Sequence, residues 1–229
     1  MQPIKIKKGY YKLSLSKNFF ANHLKKQLHQ KNSGASRQRP NVKGNSVFFH
    51  AENVEKLKKQ QMTYLDAYKL FHNIGNQLKD LERNYNHTIP FFSLSDIVKI
   101  STTEEDFFIF TNETKILEIN EETIIINQPF QEEFFSPELK NMNTLPCKIS
   151  VKSGIFSLAA VVTFLLNNTK LTESIINKGF FWKTQQPPKQ NSNINSLALL
   201  LGSIYNTKLY WALERCLNND PDKRFLYFI

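Results

Sequence analysis

The sequence predicts an α+β fold with strands concentrated early and helices late, and three observations lead there. The first is the order of hydrophobic patterns. Loose alternation up to His50 gives way to one long helical face from Tyr64 to Leu81. A cluster of short β-rich runs follows between Ile97 and Ile126, and the rest is helical from Ile155 onward. The second is composition: among 229 residues, 41% are hydrophobic and 13% aromatic, enough to build a sizeable core and too apolar for a disordered chain. The third is length, which suits one ordinary domain with at most a small appended arm.

Each element has a local reason. Lys5–Phe20 alternates and supplies one or two short strands, and Phe20, Leu24 and Leu28 within Phe19–His29 have helical spacing. Gln30–Asn45 is rich in Gly, Ser, Asn, Arg and Pro and reads as a mobile loop before a short strand at Ser46–His50. Val54 and Leu57 suggest a short first helix. Tyr64, Ala67, Leu70, Phe71, Ile74, Leu78 and Leu81 mark one face of a longer helix, which Asn84–His87 ends. Ile97–Ile100, Phe107–Phe110, Ile116–Ile119 and Ile124–Ile126 are strands, separated by turns at Thr102–Glu105, Thr111–Thr114 and Asn120–Thr123. Ile155–Leu166 is an apolar helix too short to span a bilayer, so it belongs in a core. A loop at Trp182–Asn195 carries Pro187-Pro188, and Leu197–Tyr205 and Leu209–Leu217 make the closing helices. The paired phenylalanines at 91-92, 107-108, 134-135 and 180-181 read as core packing.

Charge is unevenly spread. The net +10 arises entirely from residues 1–60, which hold 14 Lys/Arg against 2 acids, whereas the remainder holds 16 against 18. A localised basic patch steers acidic partners, nucleic acid among them, although a solvated lysine-rich surface has the same composition. Cys147 and Cys216 fit neither a disulfide framework nor a zinc cluster and read as free thiols of a reducing compartment. Met1–Tyr10 is basic with no apolar run after it, so no secretory signal is expected, and the protein is expected to be intracellular and cytoplasmic. His23, His29, His50, His72 and His87 lack metal-ligand spacing and any nucleophile context.

Two distant motifs carry a family resemblance. Leu213, Arg215, Cys216 and Leu217 form an apolar helical stretch, followed by an Asp220-Pro221 break and then Arg224. This resembles the final helices of the protein-kinase fold, and Ser136-Pro137-Glu138 resembles that family's Ala-Pro-Glu motif. The resemblance implies a buried ion pair between Glu138 and Arg224. It extends over Val47–Arg224: Val47–His50 is similar to the fifth strand and Ala51-Glu52-Asn53 to the hinge. Val54–Lys59 is similar to the helix after the hinge, and Thr63–Leu81 to the long helix before the catalytic loop. Phe156-Ser157-Leu158-Ala159 is similar to the start of the central buried helix. Kinase-like proteins of large DNA viruses are similar in places. The implied organisation is a reduced, basic amino-terminal lobe or arm over residues 1–46, with its mobile loop at 30–45. A hinge and mainly helical large lobe would take 47–229.

The same resemblance defines what phosphoryl transfer requires: a Gly-rich loop, a strand lysine paired with a helix Glu, an Asp base, and an Asn and second Asp for magnesium. Gly9, Gly34 and Gly44 stand alone, and no acid precedes Glu52, so the Gly-rich loop and the lysine–Glu pair are missing. Two registers fit the catalytic loop. In one, Asp96 is the base, Lys99 lies near the loop lysine, and Asp106 and Asn120 hold the metal. In the other, Asp96 takes the Asn position, Phe91 replaces the base and Asn112 stands where the magnesium-binding Asp belongs, which weakens metal affinity. Gly154 stands where the buried helix of kinases begins with an Asp that pins the loop. Phe49 and Ala51 are the hinge positions that would meet an adenine.

The reading that results is a catalytically inactive, pseudokinase-like protein that serves as a protein-interaction or regulatory module. No cofactor is expected; ATP and magnesium enter only if the chain is active. Two alternatives stay open: a divergent kinase using Asp96 as base, with Asp106 and Asn120 on magnesium, and a nucleic-acid-binding protein working through residues 5–59.

Overall fold

The computed structural model describes residues 3–31, 39–130, 132–167 and 201–226. The loop at 182–195, residues 197–200 of the first closing helix, and Phe180-Phe181 lie outside the described residues, as do 32–38 of the expected loop.

Alternation in the first fifty residues becomes a four-stranded antiparallel sheet. Strands β1 (Ile4–Lys7), β2 (Tyr10–Ser14), β3 (Asn41–Lys43) and β4 (Ser46–His50) lie in the order β1-β2-β4-β3. Gly9, at φ +72°, makes the turn between β1 and β2, a backbone conformation that L side chains rarely adopt. Tyr11, Leu13, Val47 and Phe49 point to one face and are buried there. Helix α1 (Asn18–Lys31) contributes buried Phe20, Leu24 and Leu28 to the same core. Part of the expected loop is thus ordered as β3, because Val42 pairs with Val47 and joins the core, whereas polar composition alone hides it.

The expected short helix at Val54 and Leu57 is instead strand β5 (Asn53–Lys56). It pairs with β7 (Ile97–Ser101), Val54 opposite Ile100, and the Leu57 N–H continues the pairing to Ile97 O at 3.0 Å. So short a helix is unstable in water, and an open strand edge satisfies the same backbone groups better.

Helix α2 (Tyr64–Tyr85) follows the predicted periodicity, burying Ala67, Leu70, Phe71, Ile74, Leu78 and Leu81, although Tyr64 at its start remains exposed. Thr63 caps it by accepting from the Asp66 N–H, and Asn86 ends it with φ +56°. Strand β6 (His87–Thr88) pairs with β9 (Leu117–Glu118), and β7 pairs with β8 (Asp106–Phe110). The edge of β8 is closed by α2 side chains. Gln77 bonds both the N–H and the carbonyl of Phe110, at 2.8 and 3.0 Å, and Asn73 accepts from the Phe108 N–H at 3.0 Å. These amides explain two polar residues on a buried helical face. Strand β10 (Thr123–Ile126) pairs with β11 (Cys147–Ser150), a strand without local signal, and α3 (Pro137–Lys140) is a single turn.

Helix α4 (Ser153–Asn167) is buried along its whole length up to Leu166, and it packs against α2 and α5 (Lys208–Cys216). No helix among the described residues is long and apolar enough to cross a membrane.

Candidate functional site

The site grows from the β7–β8 hairpin. Register pairs Ile97 with Phe110, so the residue before β7 meets the residues after β8. The Thr111 N–H donates to Asp96 O at 2.9 Å, and the Asn112 amide donates to Asp96 Oδ1 at 2.8 Å. Asp96 and Asn112 therefore face each other, as the second of the two loop registers requires. Phe91 lies five residues before Asp96. Its ring is fully buried, 4.7 Å from that of Phe130 and 5.0 Å from that of Phe135.

The centre of this cluster is a lysine that no sequence motif singles out. Lys115 Nζ lies 2.6 Å from Asp96 Oδ2, bonds the Glu132 carboxylate, and donates to Ser93 Oγ at 3.2 Å. It also sits 4.8 Å from the Phe91 ring centroid and is only 8% exposed. Ser93 Oγ donates to Asp96 Oδ2 at 2.7 Å. Burial pushes the Asp96 carboxyl up, but hydrogen bonds from Lys115, Ser93 and Asn112 outweigh it and hold the group below the usual carboxylate range. Asp96 is thus a locked anion with little free lone-pair capacity.

The residues of the other register are not brought together. Asp106 is opposite Ser101 at the far end of the hairpin, roughly 16 Å along the strand from Asp96 at about 3.3 Å per residue. There it pairs with Lys99 at 2.8 Å. Asn120 is bonded into its own turn, exchanging backbone hydrogen bonds with Thr123. Among the described residues no group of three or more His, Cys, Asp or Glu side chains is placed to hold a metal.

Gly154 is placed by contact. A Cβ there would stand 2.0 Å from the Ile89 carbonyl oxygen, so the loop backbone occupies the space a side chain would need. The loop is pinned differently: the Phe92 N–H donates to Ser157 Oγ at 2.8 Å. Glu113, next to Asn112 and 1% exposed, accepts from the Ser16 and Lys17 N–H groups at 2.6 and 2.8 Å, just before α1. A carboxylate at a helix N-terminus complements the helix dipole, and this one ties the loop after β8 to the first helix.

On the hinge side, Phe49 and Ala51 are both buried, 1% and 6% exposed. The Ala51 N–H is taken by Gly9 O at 3.2 Å and the Glu52 N–H by Ser101 O at 2.8 Å. Tyr11 stacks on Phe49 at 5.8 Å. The inward residues of β2 and β4 are Tyr11, Leu13, Val47 and Phe49, with no lysine among them, and α1 has no acid to pair with one. The Ala51 N–H is thus engaged, the inward positions of β2 and β4 are hydrophobic, and the Lys115 ammonium stands between Asp96 and Glu132.

The distant pair is formed. Arg224, 0% exposed, donates through NH1 to Glu138 Oε1 at 2.5 Å and through NH2 to Oε2 at 2.8 Å, a two-pronged contact. Its remaining donors go to the carbonyls of Asn218, Asn219 and Lys152, and Ser153 Oγ donates to Glu138 at 2.6 Å.

No protein-family model and no curated protein sequence matches the chain. Among solved structures, it is similar to the kinase PK-1 of Cydia pomonella granulovirus. The likeness covers 99% of this chain and 89% of that one, with a TM-score of 0.50 and 11% sequence identity. At that identity the likeness is one of architecture, and with the geometry above it gives this chain a protein-kinase-like fold.

Proposed function

We propose that this chain is a catalytically inactive kinase-like protein, working as an interaction or regulatory module for a protein partner. The observation that carries the reading is Lys115, whose ammonium lies between Asp96 and Glu132 beside Asn112. Phosphoryl transfer relies on divalent charge at that point to neutralise the phosphates. Here the local carboxylates already have a covalently tethered cation, and a divalent ion would have to displace a buried ammonium that has lost its water. Phe91, with no proton-accepting atom, stands at the base position. Both features support stability of the loop in the absence of any ligand.

Two measurements on the full chain test this. Thermal melting with millimolar ATP, with and without magnesium, should leave the midpoint unchanged, since a ligand bound to the folded state stabilises by mass action. A phosphotransfer assay should show no activity above background. Magnesium-dependent stabilisation by ATP, or transfer that disappears in Asp96→Ala, overturns the proposal.

A further inference from the structure

The sheet of β1 to β4 has a second face, opposite the one that packs on α1. Its register places Ile4, Lys12, Phe48 and Asn41 in one row, Lys7, Tyr10 and His50 in the next, and Ser46 and Lys43 in a third. All of these residues are exposed or half-exposed. The three rings adjoin: Tyr10 is 6.2 Å from Phe48, in a stacked orientation, and 4.8 Å from His50. Cations lie over two of them, with Lys7 Nζ 5.5 Å from the Tyr10 centroid and Lys12 Nζ 5.8 Å from that of Phe48. Burial, with Lys7 nearby, holds the His50 imidazole below its usual range, so that ring is uncharged at neutral pH.

Such a face is unusual for a surface with no ligand. Lysines on protein surfaces are normally interspersed with acids, which limits single-sign fields. Here none of the four strands carries an acid, so every lysine in them lacks a carboxylate neighbour within the sheet. Half-exposed aromatic rings in adjacent rows of a sheet also lose little by being covered. Together, flat π surfaces and fixed cations match a ligand of alternating bases and phosphates. A duplex offers the phosphates but keeps its base faces stacked inside. An acidic protein segment offers carboxylates but has no need of the ring row.

We propose that this face binds single-stranded nucleic acid, with bases stacking on Tyr10, Phe48 and His50 and phosphates paired with Lys7, Lys12 and Lys43. The site is made of other residues than the cluster of Asp96 and Lys115, and it does not depend on whether that cluster is active.

Fluorescence anisotropy on the full chain tests the proposal, with labelled oligothymidylate, labelled oligouridylate, a DNA duplex of the same length and polyglutamate. Both single strands should bind, and more tightly than the duplex or polyglutamate. Three phosphate contacts predict a slope of about −2 in log affinity against log salt, at about −0.7 per contact. Tyr10→Ala and Phe48→Ala should each weaken binding roughly tenfold. Lys7→Glu with Lys12→Glu and Lys43→Glu should abolish it. Tyr10→Leu and Phe48→Leu keep apolar volume, so a loss of affinity with an unchanged melting midpoint belongs to the missing ring rather than to misfolding. No single-strand binding at low salt, equal affinity for duplex or polyglutamate, or leucine variants that bind like the parent would each overturn the proposal.

Discussion

Replacing Glu138 by Gln leaves shape nearly intact and removes one charge, which isolates what the pair with Arg224 contributes. Arg224 is completely buried, and its other partners, the carbonyls of Asn218, Asn219 and Lys152, are neutral dipoles. In Glu138→Gln the guanidinium has no counter-charge, and the new amide NH2 faces an N–H donor. Breaking one side of a buried pair costs about 3–5 kcal/mol. Glu138 keeps 20% of its side chain exposed, so water offsets part of the loss and the lower end, about 3 kcal/mol, applies. For a chain of this size each kcal/mol moves the midpoint by about 2–4 °C, so melting should fall by roughly 6–12 °C. Acid unfolding provides a second readout. Burial pushes the Glu138 carboxyl up, yet the bonds from Arg224 and Ser153 hold it below its ordinary value. A carboxyl depressed in the folded state contributes stability that is present above its unfolded value, about 4.3, and is lost as pH falls through the folded one. Urea denaturation from pH 7 down to pH 3 should therefore show a shallower acid slope in Glu138→Gln than in the parent. A midpoint within about 2 °C of the parent, or an identical acid slope, would refute the reasoning and remove the pair as the lock between α3 and the segment after α5.

Two other substitutions probe the packing around Gly154 and the cluster around Lys115. Gly154→Ala should destabilise by about 3 kcal/mol or more, because its Cβ would stand 2.0 Å from a backbone oxygen that cannot rotate away. Gly202→Ala, with nothing within 4 Å, should leave the melt unchanged and serves as the control. Lys115→Met should leave Asp96 and Glu132 as facing anions, costing about 3 kcal/mol at pH 7 and less as acid protonates them. Millimolar manganese should raise the melting midpoint of Lys115→Met and not that of the parent; equal responses would show that Lys115 does not stand in for a metal.

What the sequence conveyed depended on how local the signal was. The faces of α2, α4 and α5 were legible because a helix buries residues at fixed spacing whatever it packs against. The Glu138–Arg224 partnership was legible through two motifs of the resembling family, each with its own local form. Residues 53–57 were misread because five residues with two apolar side chains suit either state, and only the free edge of β7 chooses between them. Strand β11 had the same difficulty, with Cys147–Ser150 carrying little pattern of its own until β10 lies beside it. At the site, both loop registers satisfied spacing. The pairing of Ile97 with Phe110, which spacing does not encode, places Asn112 against Asp96 and sends Asp106 to the opposite end of the hairpin. Lys115 and Glu132 had no motif to mark them, since each acts through neighbours distant along the chain.

The amino-acid order alone therefore determined the buried faces of α2, α4 and α5, the basic character of the first sixty residues and the absence of a glycine loop, since each is a property of neighbours in the chain. Tertiary structure decided which cation stands beside Asp96, which backbone takes the hinge N–H, and which sheet face remains open. Those outcomes depend on electrostatic and steric neighbours brought together by strand pairing, and no spacing along the chain encodes them.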